Sequence, residues 1–272
     1  MSLPIYNQDL GIIGILAQSA PQEYTDCITF TGETSDFTLK ATYKEWDGTV
    51  EYSTDHNTWT VWNGGEISSS GQKLYLRGSG NTTFRSSYGA RLRLSARAAC
   101  SGNIQTLLEY SNPPTSIHTS HCYWSMFDGC TNLTKAPALP ATTLANYCYE
   151  YMFYDCTSLT TAPELPATTL TQYCYESMFK GCTNLTKAPA LPATTLETYC
   201  YGHMFEGCTS LKISATQSSE YPTAWRIPSS GTISATSTSW NTHMLTSTGG
   251  TFTSNPSINT TYYGAWSLVK KI

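Results

Sequence analysis

Residues 148–170 read CYEYMFYDCTSLTTAPELPATTL, and this pattern occurs four times in the 272-residue chain. Each copy opens with Cys-Tyr and continues with Met-Phe and a second cysteine, and the first three copies close with Ala-Pro-x-Leu-Pro-Ala-Thr-Thr-Leu. The fourth copy stops near Leu211. The copies recur every 26 residues, and a fixed period of this length predicts a repeat architecture. The copies are residues 122–147 (copy 1), 148–173 (copy 2), 174–199 (copy 3) and the partial 200–212 (copy 4).

The spacing within a copy predicts how it folds. Cys148, Met152 and Cys156 lie four residues apart, which places them on one face of a short α-helix. Two prolines then exclude both helix and central strand, so we expect a short strand at about 157–161 and an extended, polyproline-like leg after it. Such a unit cannot close its own core and must stack on its neighbours. The predicted inward stripe is Cys122, Met126, Cys130, Cys148, Met152, Cys156, Cys174, Met178, Cys182, Cys200, Met204 and Cys208.

The pattern CYxxMFxxCTxLxxAPxLPATTL resembles the 26-residue repeat of bacterial surface proteins, in the BspA-like branch of the leucine-rich repeats. The resemblance covers about residues 122–212. It implies a right-handed solenoid with a parallel ladder of short strands. It also implies membership of a group that is found on bacterial surfaces and in phage-encoded proteins and is linked mostly to adhesion and recognition.

The flanking regions are predicted to be β-rich. Residues 24–97 alternate apolar and polar positions between turn signals, as in a β-sandwich. Residues 98–121 are predicted to cap the solenoid (98–212) at its N-terminal end, and 213–272 to close its other end as a β-rich cap. The expected fold class is therefore mainly β with short helices: an N-terminal sandwich, a central leucine-rich-repeat-like solenoid and a C-terminal cap.

The N-terminal segment, residues 1–23, is largely apolar and has few charged side chains. This composition suggests docking to a partner, such as another virion or surface protein. Its longest apolar run, Leu10–Ala17, is too short for a membrane helix. The first basic residue is Lys40, so the segment also lacks the positive start of a signal peptide. We expect no membrane span and no export signal. A homo-oligomer remains open.

Charge excludes some partners. Charged residues make up 12% of the chain, and the formal net charge is -4. A chain with this balance has no basic field with which to gather phosphates, so nucleic acid is not expected as a partner.

The ten cysteines are predicted to be buried thiols. Cys148 and Cys156 would lie about 12 Å apart on a helix, too far for a disulfide. The chain has no Cys-x-x-Cys pair and no His-x-x-x-His, so we expect neither a metal site nor a cofactor. Cys27 and Cys100 could pair with each other, although a reduced state is favoured. Many free thiols are typical of folding in a reducing cytoplasm.

A binding surface is predicted where the copies differ. On the predicted helix, the positions that change from copy to copy point outward, and three of them carry aromatic side chains: Trp124, Tyr151 and Tyr154. Lys135 and Lys187 occupy a variable position on the strand leg. Exposed aromatic residues are favoured at binding surfaces, although exposed positions also vary without function.

No catalytic motif is found, and the five histidines share no spacing. The leading hypothesis is a non-enzymatic recognition or structural protein of a phage virion, of the head- or tail-fibre, decoration or receptor-binding type. It would assemble in the host cytoplasm and display the repeat surface to a host glycan or protein. The alternatives are a bacterial cell-surface adhesin and, more distantly, a glycan-cleaving enzyme with paired carboxylates.

Overall fold

A computed structural model describes residues 27–44, 46–85 and 91–266. In these residues the chain is mainly β, as predicted, and its one regular helix is a short 3-10 helix at Ile104–Leu107. The predicted docking segment, 1–23, lies outside the described residues.

The first part of the chain folds into two sheets. The larger has six strands in the order β4-β3-β6-β1-β8-β9, and the smaller has three in the order β5-β2-β7. The strands are β1 (Ile28–Gly32), β2 (Thr38–Ala41), β3 (Thr49–Ser53), β4 (Thr60–Val61), β5 (Ile67–Ser68), β6 (Lys73–Ser79), β7 (Leu92–Leu94), β8 (Ala98–Ser101) and β9 (Leu133–Lys135). Burial alternates along β1 and β6, as period-2 patterning requires, so Phe30, Leu74 and Leu76 enter the core.

The larger sheet continues from the first region into the repeats. Strand β8 lies beyond residue 97, the predicted end of the sandwich, and pairs in parallel with β9 of copy 1. Phe84 also stacks on Tyr123 of copy 1, with ring centroids 5.9 Å apart, and its N–H donates to the Cys122 carbonyl. The first region therefore meets copy 1 with the same kinds of contact that neighbouring copies make with each other.

The predicted helix in each copy is wrong. The segment that begins one residue before the first cysteine has a positive φ at every fourth residue; in copy 2 these are Tyr147 (60°), Tyr151 (55°) and Asp155 (52°). An α-helix contains no such residues. The backbone is instead a chain of overlapping tight turns, which we call the turn ladder: residues 121–130, 147–156, 173–182 and 199–208.

Hydrogen bonding explains why the turn ladder replaces a helix. Every second N–H donates to the next copy: Tyr149 to the Cys174 carbonyl at 3.1 Å and Tyr151 to the Glu176 carbonyl at 3.0 Å. The intervening N–H groups close turns within the copy, as Met152 does to the Tyr149 carbonyl at 3.2 Å. Half of the donors are thus used between copies and cannot contribute to an α-helix.

The inward stripe lies where the four-residue spacing places it. The structure buries all twelve cysteines and methionines of that stripe to 1% exposure or less. The tyrosine after each first cysteine and the phenylalanine after each methionine are also buried, and they stack on their counterparts in the next copy. Ring centroids of Tyr149 and Tyr175 are 5.9 Å apart, and those of Phe153 and Phe179 are 5.6 Å apart.

The strand predicted at 157–161 does not form. In copy 1 the equivalent residues make β9, but in copies 2 and 3 the contact is reduced to one isolated parallel bridge, Thr161 to Lys187. The segments Ala-Pro-x-Leu-Pro at 136–140, 162–166 and 188–192, which we call the legs, carry no regular strand. Proline lacks the N–H that a strand ladder requires.

A degenerate fifth copy follows copy 4. Residues 240–248 (WNTHMLTST) take the place of Cys-Tyr-x-x-Met-Phe-x-x-Cys, with positive φ at Ser239, His243 and Ser247. Tyr201 and Phe205 of copy 4 donate to the Trp240 and Met244 carbonyls, at 2.8 and 3.0 Å. The longer connection before this segment carries β10 (Ile213–Ser214) and β11 (Thr223–Arg226), which form an antiparallel sheet with β12 (Thr261–Gly264) in the order β10-β12-β11.

Candidate functional site

The outer face of the turn ladder, here the turn face, carries the three predicted aromatic residues. All three are half-buried rather than fully exposed. The Arg85 guanidinium lies over the Trp124 ring, 5.6 Å from its centroid, which is within the range of a cation–π contact. Tyr151 and Tyr154 meet edge to face with centroids 5.7 Å apart. Each aromatic side chain is thus already held by a neighbour within the chain.

A second row of aromatic rings on this face was missed by the sequence analysis. The residue before each first cysteine is His121, Tyr147, Tyr173 or Tyr199. Their rings stack in parallel at 4.5, 4.7 and 5.3 Å, so the ring faces contact one another and only the edges remain for other partners. An aromatic residue at the same place in all four copies was the available signal.

Two glutamates lie at equivalent positions of neighbouring copies on the turn face. Burial and the nearby Glu176 carboxylate raise the pKa of Glu150 to about 8, against the opposing hydrogen bond from Trp124. Burial also raises the pKa of Glu176. The two carboxylates therefore favour sharing a proton at neutral pH. Neither glutamate lines any of the grooves described below.

Near copy 4, the turn face carries charged and polar side chains that contact one another. Glu206 accepts hydrogen bonds from Lys180 at 3.0 Å and from His203 at 2.6 Å. Burial acts to raise the pKa of Glu206, but these two partners outweigh it and lower the pKa. The Lys180 and Glu206 charges on this part of the face are therefore already paired.

The two predicted lysines lie elsewhere, among the legs. Lys135 and Lys187 are exposed, and each lines a groove between neighbouring legs. One groove of about 520 Å³ lies between the legs 162–166 and 188–192. A second, of about 470 Å³, lies between 136–140 and 162–166. A third, of about 370 Å³, lies between the last leg and strands β11 and β12. We call this surface the leg face.

The structure thus separates the predicted site into two sets. Trp124, Tyr151 and Tyr154 lie on the turn face, and none of them lines a leg-face groove. Lys135 and Lys187 lie on the leg face. Both sets vary between copies, and this property does not indicate which surface a residue occupies.

The buried cysteines have a structural role rather than a reactive one. Burial raises the pKa of every repeat cysteine, that of Cys130 to about 11, so the reactive thiolate is disfavoured. The thiols of Cys156, Cys182 and Cys208 each donate to a phenylalanine carbonyl of the preceding copy, at 3.0–3.1 Å. Cys100 is likewise reduced and buried, so it forms no disulfide with Cys27.

In the parts of the chain that the structure describes, no group of three or more His, Cys, Asp or Glu side chains is arranged to hold a metal ion. Over the same residues, no helix has the length and apolar character needed to cross a membrane. Comparison of the chain with protein-family models, with curated proteins and with solved structures finds no match.

Proposed function

We propose that the protein is a non-enzymatic recognition and structural protein of a phage virion, which displays the outer surface of its repeats. One observation carries the proposal: the residues that form the interior are constant between copies, whereas several positions on the surface change. The position six residues after the first cysteine, for example, is Asp128, Tyr154, Lys180 or Glu206, and none of these residues is buried. A constant frame with varied surface side chains is the arrangement that repeat proteins use for binding.

The proposed architecture is a leucine-rich-repeat-like, right-handed solenoid closed by a β-sandwich at one end and a β-rich cap at the other. Its support is the copy-to-copy bonding along the turn ladder and the resemblance of the repeat to the BspA-like group. The degenerate fifth copy extends the same bonding toward the C-terminal sheet. Terminal units that differ from the consensus are expected where a stack of repeats ends.

The buried thiols support assembly in a reducing compartment. The eight repeat cysteines are free, at most 1% exposed, and packed within the core. Proteins that fold in oxidising compartments tend to convert such cysteines to disulfides. A virion protein that folds in the reducing host cytoplasm before release would keep such cysteines free.

Mass spectrometry of purified virions tests the proposed setting. Virions are prepared by density gradient from a culture that carries the gene, and the protein is quantified against a known capsid protein of the same particles. A constant stoichiometry across the particle fractions is expected. Absence from the particles, together with release of its peptides when intact cells are treated with protease, would overturn the virion setting in favour of a bacterial surface adhesin.

A further inference from the structure

The leg face owes its grooves to the prolines of the repeat. No backbone hydrogen bond among the described residues joins leg 136–140 to leg 162–166, or leg 162–166 to leg 188–192. Each leg contains two prolines, which cannot donate to a neighbour. The space between adjacent legs is left as a shallow groove instead of being closed by a strand ladder.

The three grooves form one continuous surface. The first two share Ala162, Pro163, Glu164 and Pro166. The first and third share Lys187, Ala188 and Ala190. The third groove is also lined by tryptophan, threonine and serine side chains, but the walls of the first two consist largely of alanine methyl groups and proline rings. Such walls fit small apolar side chains better than the densely hydroxylated surface of a sugar, which requires many hydrogen-bonding partners.

The charge of this surface is opposite to that of the whole chain. Lys135, Lys187 and Arg226 line the grooves, and Glu164 is the single acidic residue among the lining residues described. The chain as a whole has a net charge of -4. No ion pair involves Lys135 or Lys187 within the described residues. Among the described residues, the Arg226 guanidinium donates hydrogen bonds to the Pro228 and Gly231 carbonyls and the Asn259 side chain, none of which carries a neutralising charge.

We propose that the leg face binds an extended acidic segment of a partner protein, with small apolar side chains in the grooves and carboxylates on the lysines. Lys135 and Lys187 stand two copies apart. The ring spacing between copies, 4.5 to 6.0 Å, puts roughly 10 Å between them, about three residues of a polyproline-like extended chain at ~3.1 Å per residue, in which every third side chain points the same way. The bound segment would therefore carry acidic residues three positions apart. This inference rests on the proposed recognition function and gives it a partner class.

Fluorescence anisotropy with the purified full-length protein tests the proposal. The probe is a fluorescein-labelled peptide of four Glu-Val-Ala repeats, and its comparison peptide has Gln in place of every Glu. The test variant is Lys135→Glu with Lys187→Glu. The control variant is Lys40→Glu with Lys73→Glu, which makes the same charge change at two exposed lysines of the first region.

We expect the acidic peptide to bind, and the leg-face variant to weaken binding at least tenfold. The control variant is expected to stay within about twofold of wild type. All four lysines are exposed, and matching thermal melts verify that both variants fold. Equal binding of the Gln peptide, equal loss in the control variant, or no binding of the acidic peptide would overturn the proposal.

A parallel titration with polysialic acid separates the two anionic ligand classes. Binding of this polysaccharide that depends on Lys135 and Lys187, without binding of the peptide, would replace the peptide proposal with a glycan one. The measurement uses isolated protein, so its outcome is independent of virion localisation. If the protein binds the peptide but is absent from virions, only the proposed setting is refuted. If it is present in virions but does not bind the peptide, only the leg-face proposal is refuted.

Discussion

The turn ladder and the legs are two halves of the same 26-residue copy, yet they hold neighbouring copies together in different ways. In the turn ladder, every second N–H donates to the next copy, and the buried tyrosines and phenylalanines stack ring on ring. Between the legs there is no such bonding among the described residues, and grooves take its place.

The difference shows how one repeat can serve both stability and recognition. The turn ladder tolerates non-glycine residues at positive φ, an arrangement that costs roughly 1–2 kcal/mol per residue, because bonding between copies offsets the cost. The legs have no such bonding between copies, so their outer side chains are under no comparable constraint. We therefore expect substitutions in the turn ladder to change mainly stability, and substitutions on the leg face to change mainly binding.

The largest expected effect is that of Met152→Asp, which places a charge among fully buried side chains. We expect a loss of about 4–5 kcal/mol in the free energy of unfolding, because the carboxylate would have no partner in the core. Urea unfolding followed by circular dichroism measures it. Ala190→Asp adds the same group to an exposed position of a leg and should cost under ~0.5 kcal/mol. Similar losses of unfolding free energy in the two variants would contradict the expected difference between the turn ladder and the legs.

A smaller difference in stability is expected between variants of two tyrosines at equivalent positions of copies 1 and 2. The Tyr123 hydroxyl contacts the Gln105 side-chain oxygen at 2.7 Å, whereas the buried Tyr149 hydroxyl has no hydrogen-bond partner among the described residues. Tyr123→Phe should therefore cost about 1–2 kcal/mol, and Tyr149→Phe should be neutral or stabilising. Denaturant unfolding of both variants checks this. Equal destabilisation would mean that ring stacking, rather than the hydroxyl, governs this position.

The sequence was sufficient to predict the turn ladder's interior but not its backbone. A spacing of four residues is close to the 3.6 residues of a helical turn, so the helix was the natural interpretation. A true helix would carry Cys156 about 80° around from Cys148, whereas a four-residue turn keeps both on one line. Gly129, Gly181 and Gly207 were the available clue, because each occupies a positive φ. Bonding between copies, which a single copy cannot reveal, decides the backbone.

The binding surface was less predictable, for a related reason. Variation between copies identifies exposed positions, but the helix interpretation gave no basis for separating the turn face from the leg face. The fifth copy was also missed, since Trp240 replaces the first cysteine and Thr248 the second. Its backbone is set by bonds to Tyr201 and Phe205 rather than by its own sequence pattern.

A pH-dependent effect is expected on the turn face. Burial and the Glu176 carboxylate raise the pKa of Glu150 to about 8, above its value in the unfolded chain, about 4.3. The folded state therefore binds more protons than the unfolded state between these pH values. Stability should fall as the pH rises from about 4.5 to about 8 and then level off.

Glu150→Gln removes this titration while keeping the size of the side chain. At pH 9 the variant should be more stable than wild type, on the order of 1 kcal/mol once solvent screening at a half-exposed site is allowed for. The advantage should vanish near pH 5. Thermal melts across pH 5–9 measure it, with the exposed leg residue Glu164→Gln as control. An unchanged pH profile in Glu150→Gln would show that the two carboxylates do not share a proton.

The smallest expected effect tests the legs directly. Pro163→Ala restores an N–H to a leg that has no bond to its neighbours among the described residues. Because the native leg conformation needs no change, the cost should be about 0.5–1 kcal/mol, arising from the greater freedom of the unfolded chain. Unfolding in urea measures this cost, and the slope of the transition should match wild type. A gain in stability would show instead that proline alone keeps the legs from pairing, so that the grooves exist at the expense of a strand ladder the copies could otherwise form.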